Sequence, residues 1–86
     1  MRNKLAHVCI EATDLDETEA FYALLGLERR FEFRNQDNDL VGFYLAFGNE
    51  TFIEVIKVSE KKAEGTIKHF AIETDDIDDC YRALTD

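Results

Sequence analysis

The segment LAHVCIE at residues 5–11 returns as IKHFAIE at residues 67–73, after a shift of 62 residues along the chain. The same shift superimposes Asp14-Leu15-Asp16 on Asp76-Ile77-Asp78. In both copies a short apolar run precedes an acidic helix start, a pattern typical of a strand that leads into a capped helix. A repeat this long predicts two stacked copies of one structural module rather than a solenoid.

The residues between the two copies predict the rest of the first module. Asp14 is placed to cap the first helix, Glu17 follows three residues later, and Gly26 is the expected C-cap. Alternating or continuous apolar runs, separated by polar loops, predict the strands. The expected strands are Leu5–Ala12, a second around Phe31 and Phe33, a third with Val41, Phe43, Leu45 and Phe47 on one face, Phe52–Val58, and Thr66–Thr74 before a helix that opens at Asp76.

The predicted order, βαβββ followed by βα, belongs to the α+β class. Residues 1–58 form the first module and residues 66–86 start a second one, which stops near the end of its helix. We therefore expect residues 1–86 to be a single domain that is truncated or that takes strands from a partner. A homodimer is the simplest such assembly, because missing strands would leave an open sheet edge and an uncovered apolar face.

Composition restricts the kinds of partner. Ten Lys and Arg against nineteen Asp and Glu give a net charge of −9, which repels phosphate backbones and argues against nucleic-acid binding. No apolar run approaches the roughly 20 residues of a membrane span, so we expect no membrane association. Two cysteines are too few for a disulfide scaffold and favour a reducing compartment, the cytoplasm.

Two histidines and one glutamate are the candidate metal ligands. The repeat places His7 and His69 at equivalent positions of their strands, and Glu54 is an ionisable group inside the apolar run Phe52–Ile56. A buried carboxylate needs a cation, a donor or water beside it. Two imidazoles and a carboxylate that converge on one sheet face suit Zn, Ni, Fe or Co.

Each candidate also has a structural interpretation. A strand histidine is usually a packed residue and a strand glutamate usually faces solvent, but the recurrence of histidine in both copies favours the metal site. Cys9 is either a soft ligand beside His7 or, as its repeat partner Ala71 suggests, a small buried residue. Glu11 and Glu73 are either substrate-contacting or solvent-facing. The acidic run Asp75–Asp79 lacks the glycine of a calcium loop and is better explained by helix capping.

The sequence resembles the vicinal oxygen chelate superfamily, which includes glyoxalase I, the bleomycin-resistance proteins and the extradiol dioxygenases. The resemblance extends over essentially the whole chain. It rests on these matches: His7-Val8-Cys9-Ile10, Asp14-Leu15, Phe21-Tyr22 with Leu25-Gly26, Phe52-Ile53-Glu54-Val55, and Gly65 with His69-Phe70-Ala71-Ile72.

The resemblance implies paired βαβββ modules that form a cupped sheet around a divalent metal, most similar to glyoxalase I (lactoylglutathione lyase). The implied ligands are His7, Glu54 and His69, with Zn or Ni as the metal and Glu54 as a possible catalytic base. The implied reaction converts a hemithioacetal of a 2-oxoaldehyde and a thiol, possibly glutathione, to a thioester. The fourth glyoxalase ligand, a glutamate of the second module, has no counterpart before Asp86.

A metal-free binding module of the same fold is the alternative function. Such a module would hold a hydrophobic, antibiotic-like small molecule in the cup of the sheet. The expected lining is aromatic: Phe33, Phe43, Phe47 and Phe52.

Overall fold

Four strands and two helices form the parts of the chain that the computed structural model describes, residues 1–60 and 69–85. The predicted βαβββ order and the α+β class are confirmed. The elements are β1 (His7–Ala12), α1 (Leu15–Ala23), β2 (Glu28–Arg34), β3 (Leu40–Ala46), β4 (Phe52–Lys57) and α2 (Ile77–Thr85).

The strands form one mixed sheet in the order β1-β4-β3-β2. Strands β2, β3 and β4 make an antiparallel meander, joined by a polar loop at residues 35–39 and by a turn at residues 47–51. β1 lies at one edge and pairs with β4 in parallel. A parallel pair needs a long connection, and α1 with the meander supplies it.

One face of the sheet packs against α1 and forms the core. Phe43 and Leu45 of β3 and Ile53 and Val55 of β4 are fully buried there. They alternate along their strands because successive side chains point to opposite faces. Each such side chain contributes about 1.5–3 kcal/mol when it leaves water, so these four positions are the main apolar contribution to stability.

The ends of α1 follow from local chemistry. The Asp14 carboxylate accepts a hydrogen bond from the Glu17 backbone N–H at 3.0 Å, as predicted for an N-cap. The helix ends earlier than expected, with Leu24 as its C-cap. Gly26 has a φ of +85° and completes the turn into β2. Glycine adopts this left-handed conformation without the clash that a Cβ would cause.

Arg29 fastens the helix layer to the sheet. Its guanidinium donates hydrogen bonds to Glu19 of α1 and to Glu32 of β2, and it lies 4.7 Å from the centre of the Phe43 ring. The hydrogen bonds from Arg29 and Arg34 lower the pKa of the Glu32 carboxyl. One cation thus joins α1, β2 and the core through ion pairs and a cation–π contact.

The predicted fifth strand is not present over residues 69–74, which have no regular secondary structure; its first three residues, 66–68, lie outside the described residues. Phe70 and Ile72 are exposed there. Alternating apolar residues favour a strand, but a strand also needs a neighbouring backbone for its hydrogen bonds. No described strand pairs with this segment. The start of a second module at residues 66–86 therefore stays a prediction.

The second helix begins where the sequence predicts. The Asp76 carboxylate accepts a hydrogen bond from the Asp79 backbone N–H at 2.9 Å, and α2 starts at Ile77. Its apolar side chains are Ile77, Tyr81 and Leu84, and all three are exposed.

A β-bulge interrupts β2. Arg30 lies opposite Tyr44 and Phe33 lies opposite Gly42, so two residues of β2 face a single residue of β3. Phe31, one of the two, has a φ of +48°. The bulge changes the alternation of the strand, and the rings of Phe31 and Phe33 both reach Tyr44 on the face away from α1.

Candidate functional site

The sheet face opposite α1 carries the candidate site. Glu54 of β4 lies between Cys9 of β1 and Tyr44 of β3 in the sheet register. His7 lies opposite Phe52, two pairs along the same ladder and so on the same face. Strand alternation therefore puts polar and aromatic groups of three strands on one surface, while Ile53 and Val55 point to the core.

His7 and Glu54 form the chemical centre of this face. The Nε2 atom of His7 lies 3.4 Å from the Oε1 atom of Glu54, and their side chains are 41% and 21% exposed. The sequence argument required a partner for a carboxylate inside an apolar run, and His7 is that partner. The two donors thus share one open site on neighbouring strands.

The third predicted ligand is not at this site. His69 is exposed, and within residues 1–60 and 69–85 no group of three His, Cys, Asp or Glu side chains is close enough together to hold a metal. The structure therefore brings together two of the three predicted donors, and a three-ligand site that includes His69 stays a prediction.

The distance between the two donor atoms can be compared with the geometry of a divalent metal site. Zinc lies about 2.0–2.2 Å from imidazole nitrogen and carboxylate oxygen in tetrahedral sites. Two ligands at those distances are roughly 3.4 Å apart across a tetrahedral angle, which agrees with the 3.4 Å between Nε2 and Oε1. The His7–Glu54 pair therefore fits two positions of a zinc-like ion, and the remaining positions need other ligands.

Cys9 is exposed, which corrects the expectation that it is a small buried residue. Its pKa is raised by partial burial and then by the nearby carboxylates Glu54 and Glu11. A thiol is a good metal ligand and nucleophile only as the thiolate. The raised pKa keeps Cys9 protonated, which weakens it in both roles. Glu11 and Glu73 are exposed, which agrees with the solvent-facing alternative for these two residues.

Aromatic rings surround the pair. Tyr44 contacts the His7 ring and three phenylalanine rings, with ring centres 5.2–5.9 Å apart, in tilted or edge-to-face arrangements. We call this group the aromatic cluster: His7, Phe31, Phe33, Tyr44 and Phe52. Edge-to-face packing is the arrangement that aromatic quadrupoles favour. The cluster gives the open face an apolar wall beside the Glu54 carboxylate.

The aromatic lining predicted from the sequence is partly correct. Phe33 and Phe52 lie on the open face, but Phe43 is fully buried on the core face, because the strand parity of β3 places it opposite Val55. Tyr44 and Phe31 were missed. Tyr44 was detectable as the residue between the two buried positions of β3, whereas the position of Phe31 depends on the bulge.

A groove of about 740 Å³ opens beside His7. It runs between residues 4–8, the β3–β4 turn and residues 70–75, and both His7 and Phe52 line it. The groove has room for a small molecule, because ligand sites span about 300–1,000 Å³. His7 therefore belongs to both the aromatic cluster and the lining of the groove.

Within the described ranges, no helix has the length and apolar character needed to cross a membrane. The expected cytoplasmic location stays a prediction.

Several solved structures share this fold. A fosfomycin resistance protein, FosX, from Listeria monocytogenes is 19% identical, with a TM-score of 0.71 over 98% of this chain and 70% of that chain. Its structure was determined in complex with Mn(II) and 1S,2S-dihydroxypropylphosphonic acid. An integron cassette protein from V. cholerae is 18% identical, with a TM-score of 0.59 over 98% of this chain and 66% of that chain. At identities this low, the similarity establishes the common fold alone and carries no information about activity.

Sequence comparison gives the family. No curated protein is significantly similar in sequence to this chain. The family profile described as "Glyoxalase/Bleomycin resistance protein/Dioxygenase superfamily" matches residues 6–86, nearly the whole chain. The match confirms the resemblance on which the sequence analysis relied. The chain therefore belongs to the glyoxalase/bleomycin resistance protein/dioxygenase superfamily.

Proposed function

We propose that this protein is a metal-dependent lyase or isomerase that acts on a small molecule with neighbouring oxygen atoms, of the kind that glyoxalase I converts. The observation that carries the proposal is the His7–Glu54 pair, an imidazole nitrogen and a carboxylate oxygen 3.4 Å apart on an open sheet face. The candidate substrate is a hemithioacetal of a 2-oxoaldehyde and a thiol, and the candidate product is the hydroxyacyl thioester.

The fold neighbours support a metal and a small substrate. The FosX structure holds Mn(II) together with a vicinal diol. In this chain His7 and Glu54 would hold the ion, and His69 is the proposed third ligand. Imidazole and carboxylate ligands accept Zn, Ni and Mn, so Zn or Ni remains the proposed metal and Mn is tested beside them.

Each group at the site has a defined task in this proposal. A bound divalent ion supplies Lewis-acid stabilisation of the negative charge that develops on the substrate oxygens. Glu54 accepts the proton from the substrate carbon and returns it to the neighbouring carbon, as a general base and then a general acid. The rings of Tyr44 and Phe52 keep water from the reacting carbon. His7 would keep its place on the ion, from the neighbouring strand, while Glu54 moves the proton.

The partner in the proposed assembly is a second copy. β1 lies at the edge of the sheet, and the apolar side chains Phe70 and Ile72 are exposed. A homodimer would cover such a surface and offer further ligands to the His7–Glu54 pair. Sedimentation across a range of protein concentrations tests this directly, and a monomer at all concentrations would contradict it.

Calorimetric titration of metal-stripped protein with Zn²⁺, Ni²⁺ and Mn²⁺ tests the metal site. We expect one ion per site, and we expect His7→Ala and Glu54→Gln each to abolish binding. His69→Ala determines whether the third predicted ligand contributes. Glu11→Gln is the matched control. It removes a carboxylate from β1, the strand of His7, and should leave metal affinity unchanged.

Turnover of the methylglyoxal hemithioacetal is the second measurement. Thioester formation that requires metal and is lost in Glu54→Gln supports the proposal. A folded protein that binds none of the three metals would overturn it, and so would a Glu54→Gln variant with full activity.

Metal-free binding of an apolar small molecule is the second candidate function. Two observations favour it: His7, Phe31 and Phe33 of the aromatic cluster are exposed, and only two of the three predicted donors meet in the described part of the chain. Affinity for an apolar ligand that is independent of metal, without any product, would support this function over the enzyme.

A further inference from the structure

Phe31 occupies an unusual backbone position. Its φ of +48° falls in the left-handed region, where a residue other than glycine costs roughly 1–2 kcal/mol. Its position at a β-bulge aims its side chain away from the usual alternation. Strain of this kind persists where surrounding structure enforces it, and it is concentrated at ligand sites.

Burial in the core does not explain this conformation. The Phe31 residue is 64% exposed. Its ring packs edge-to-face on the open face, with its centre 5.9 Å from the Tyr44 ring centre and 6.0 Å from the Phe52 ring centre. The backbone thus holds a large apolar ring in solvent, over the rings next to His7 and Glu54.

The charges around the Phe31 ring restrict which ligands can approach it. The guanidinium groups of β2 are bound to carboxylates of this chain: Arg29 to Glu19 and Glu32, Arg30 to Glu28, and Arg34 to Glu32. The Glu54 carboxylate lies on the same face. These arginines and glutamates offset one another in charge, so an approaching anion finds none of the three guanidinium groups free and is repelled by Glu54, whereas an uncharged ring is not.

We propose that Phe31 is a specificity-determining residue that stacks on a planar aromatic group of the ligand and that the site selects ligands without negative charge. The inference rests on the proposed small-molecule site at His7 and Glu54, and it narrows the ligand class of that site to adducts of an aromatic 2-oxoaldehyde with an uncharged thiol. The bulge leaves most of the Phe31 ring exposed, so a planar group of the ligand can lie against its free side.

Two matched fluorescent probes test the ligand class on metal-stripped protein. N-phenyl-1-naphthylamine is uncharged, and 8-anilinonaphthalene-1-sulfonate has the same ring system with a sulfonate. We expect tighter binding of the uncharged probe and a smaller difference between the two probes in Glu54→Gln. Equal affinities in the unaltered protein would overturn the charge selection.

Phe31→Ala and Phe31→Gly test the ring and the backbone separately. Both variants lose the ring, so both should bind N-phenyl-1-naphthylamine about tenfold more weakly, as expected for one aromatic contact. Phe31→Tyr keeps the ring and should bind within about twofold of the unaltered protein. Unchanged affinity in Phe31→Ala would refute the proposal.

The thermal midpoints of these two variants measure the strain. At an ordinary strand position glycine is less stable than alanine, but at positive φ the order reverses. We expect Phe31→Gly to melt above Phe31→Ala. Glu50, with a φ of +65° in the β3–β4 turn, is the matched control: Glu50→Gly should melt above Glu50→Ala with no change in probe affinity. An alanine variant of Phe31 more stable than the glycine variant would show that the backbone does not enforce the ring position.

Two further controls test whether the probe binds at Phe31 and whether the result depends on the metal site. Tyr81→Ser removes an exposed ring of α2 and should leave the probe signal unchanged; loss of signal would place the probe on α2 and overturn the assignment. Because the probes are used without metal, the Phe31 test can be interpreted even if the protein fails to bind metal. Loss of the enzyme proposal and loss of the Phe31 proposal are therefore separate outcomes.

Discussion

Gly42→Ala should destabilise the protein because β3 and β4 are too close for a methyl group at this position. A Cβ on Gly42 would lie 2.6 Å from the backbone oxygen of Val55 and 3.2 Å from Cδ2 of Phe33. Carbon and oxygen atoms without a covalent bond approach to about 3.3 Å, so the strands must part by roughly 0.7 Å.

The expected magnitude follows from two opposing effects. Overpacking of a closely packed site costs about 1–3 kcal/mol, and replacement of glycine in a strand returns about 0.5–1 kcal/mol. The net loss of about 1–2 kcal/mol should lower Tm by about 4–16 °C for a domain of this size. Urea and thermal unfolding, followed by circular dichroism, measure both quantities.

Two other glycines make the comparison decisive. Gly48→Ala places its Cβ in open space at an ordinary φ, and we expect no loss of stability. Gly26→Ala also meets no atom within 4 Å, but its φ of +85° makes alanine strained, so it should be destabilising by about 1–2 kcal/mol. A Gly42→Ala variant as stable as Gly48→Ala would refute the close approach of β3 and β4.

Three further predictions test other parts of the structure. In a Cys80→Ser background, the Cys9 thiol should react with a disulfide reagent more slowly than free cysteine at pH 8. Glu54→Gln should increase the rate, because it removes a carboxylate that raises the thiol pKa. Equal rates with and without Glu54→Gln would contradict the placement of Glu54 beside Cys9. The lowered pKa of Glu32 stabilises the fold above the ordinary glutamate pKa, and this stabilisation is lost as pH falls through the lowered value. The difference in Tm between the unaltered protein and Glu32→Gln should therefore be present at pH 7 and shrink in acid, whereas a constant difference would show that Glu32 is not in the ion-pair network. Phe43→Ala should lose about 3–5 kcal/mol because it empties a fully buried position, which urea unfolding measures; a loss below 1 kcal/mol would contradict its place in the core.

Local chemistry made part of this fold predictable. The Asp14 cap needs only a carboxylate three residues before a free N–H, and strand parity alone places Phe43 and Leu45 on one face. The proximity of His7 and Glu54 was also predictable, because an ionisable group in an apolar run needs a partner and the repeat marked His7.

The remaining features depend on contacts that lie far apart in the sequence. Alternation alone would put Phe31 on the face of Arg29, and only the register of β2 against β3 reveals the bulge that moves it. The segment after His69 has the composition of a strand, but composition does not specify which backbone is available for pairing. The place of His69 relative to Glu54 therefore could not be derived from the pattern.

The parallel ladder between β1 and β4 has a consequence for folding kinetics. His7 is paired with Phe52, about 45 residues further along the chain, whereas the meander of β2, β3 and β4 joins neighbouring segments. Chain segments that are close in sequence meet sooner, because closing a long loop costs more entropy. We expect β1 to join the sheet last, with Val8→Ala slowing folding little and accelerating unfolding. The His7–Glu54 pair then exists only after the last folding step, so a ligand of the pair should slow unfolding and leave the folding rate unchanged.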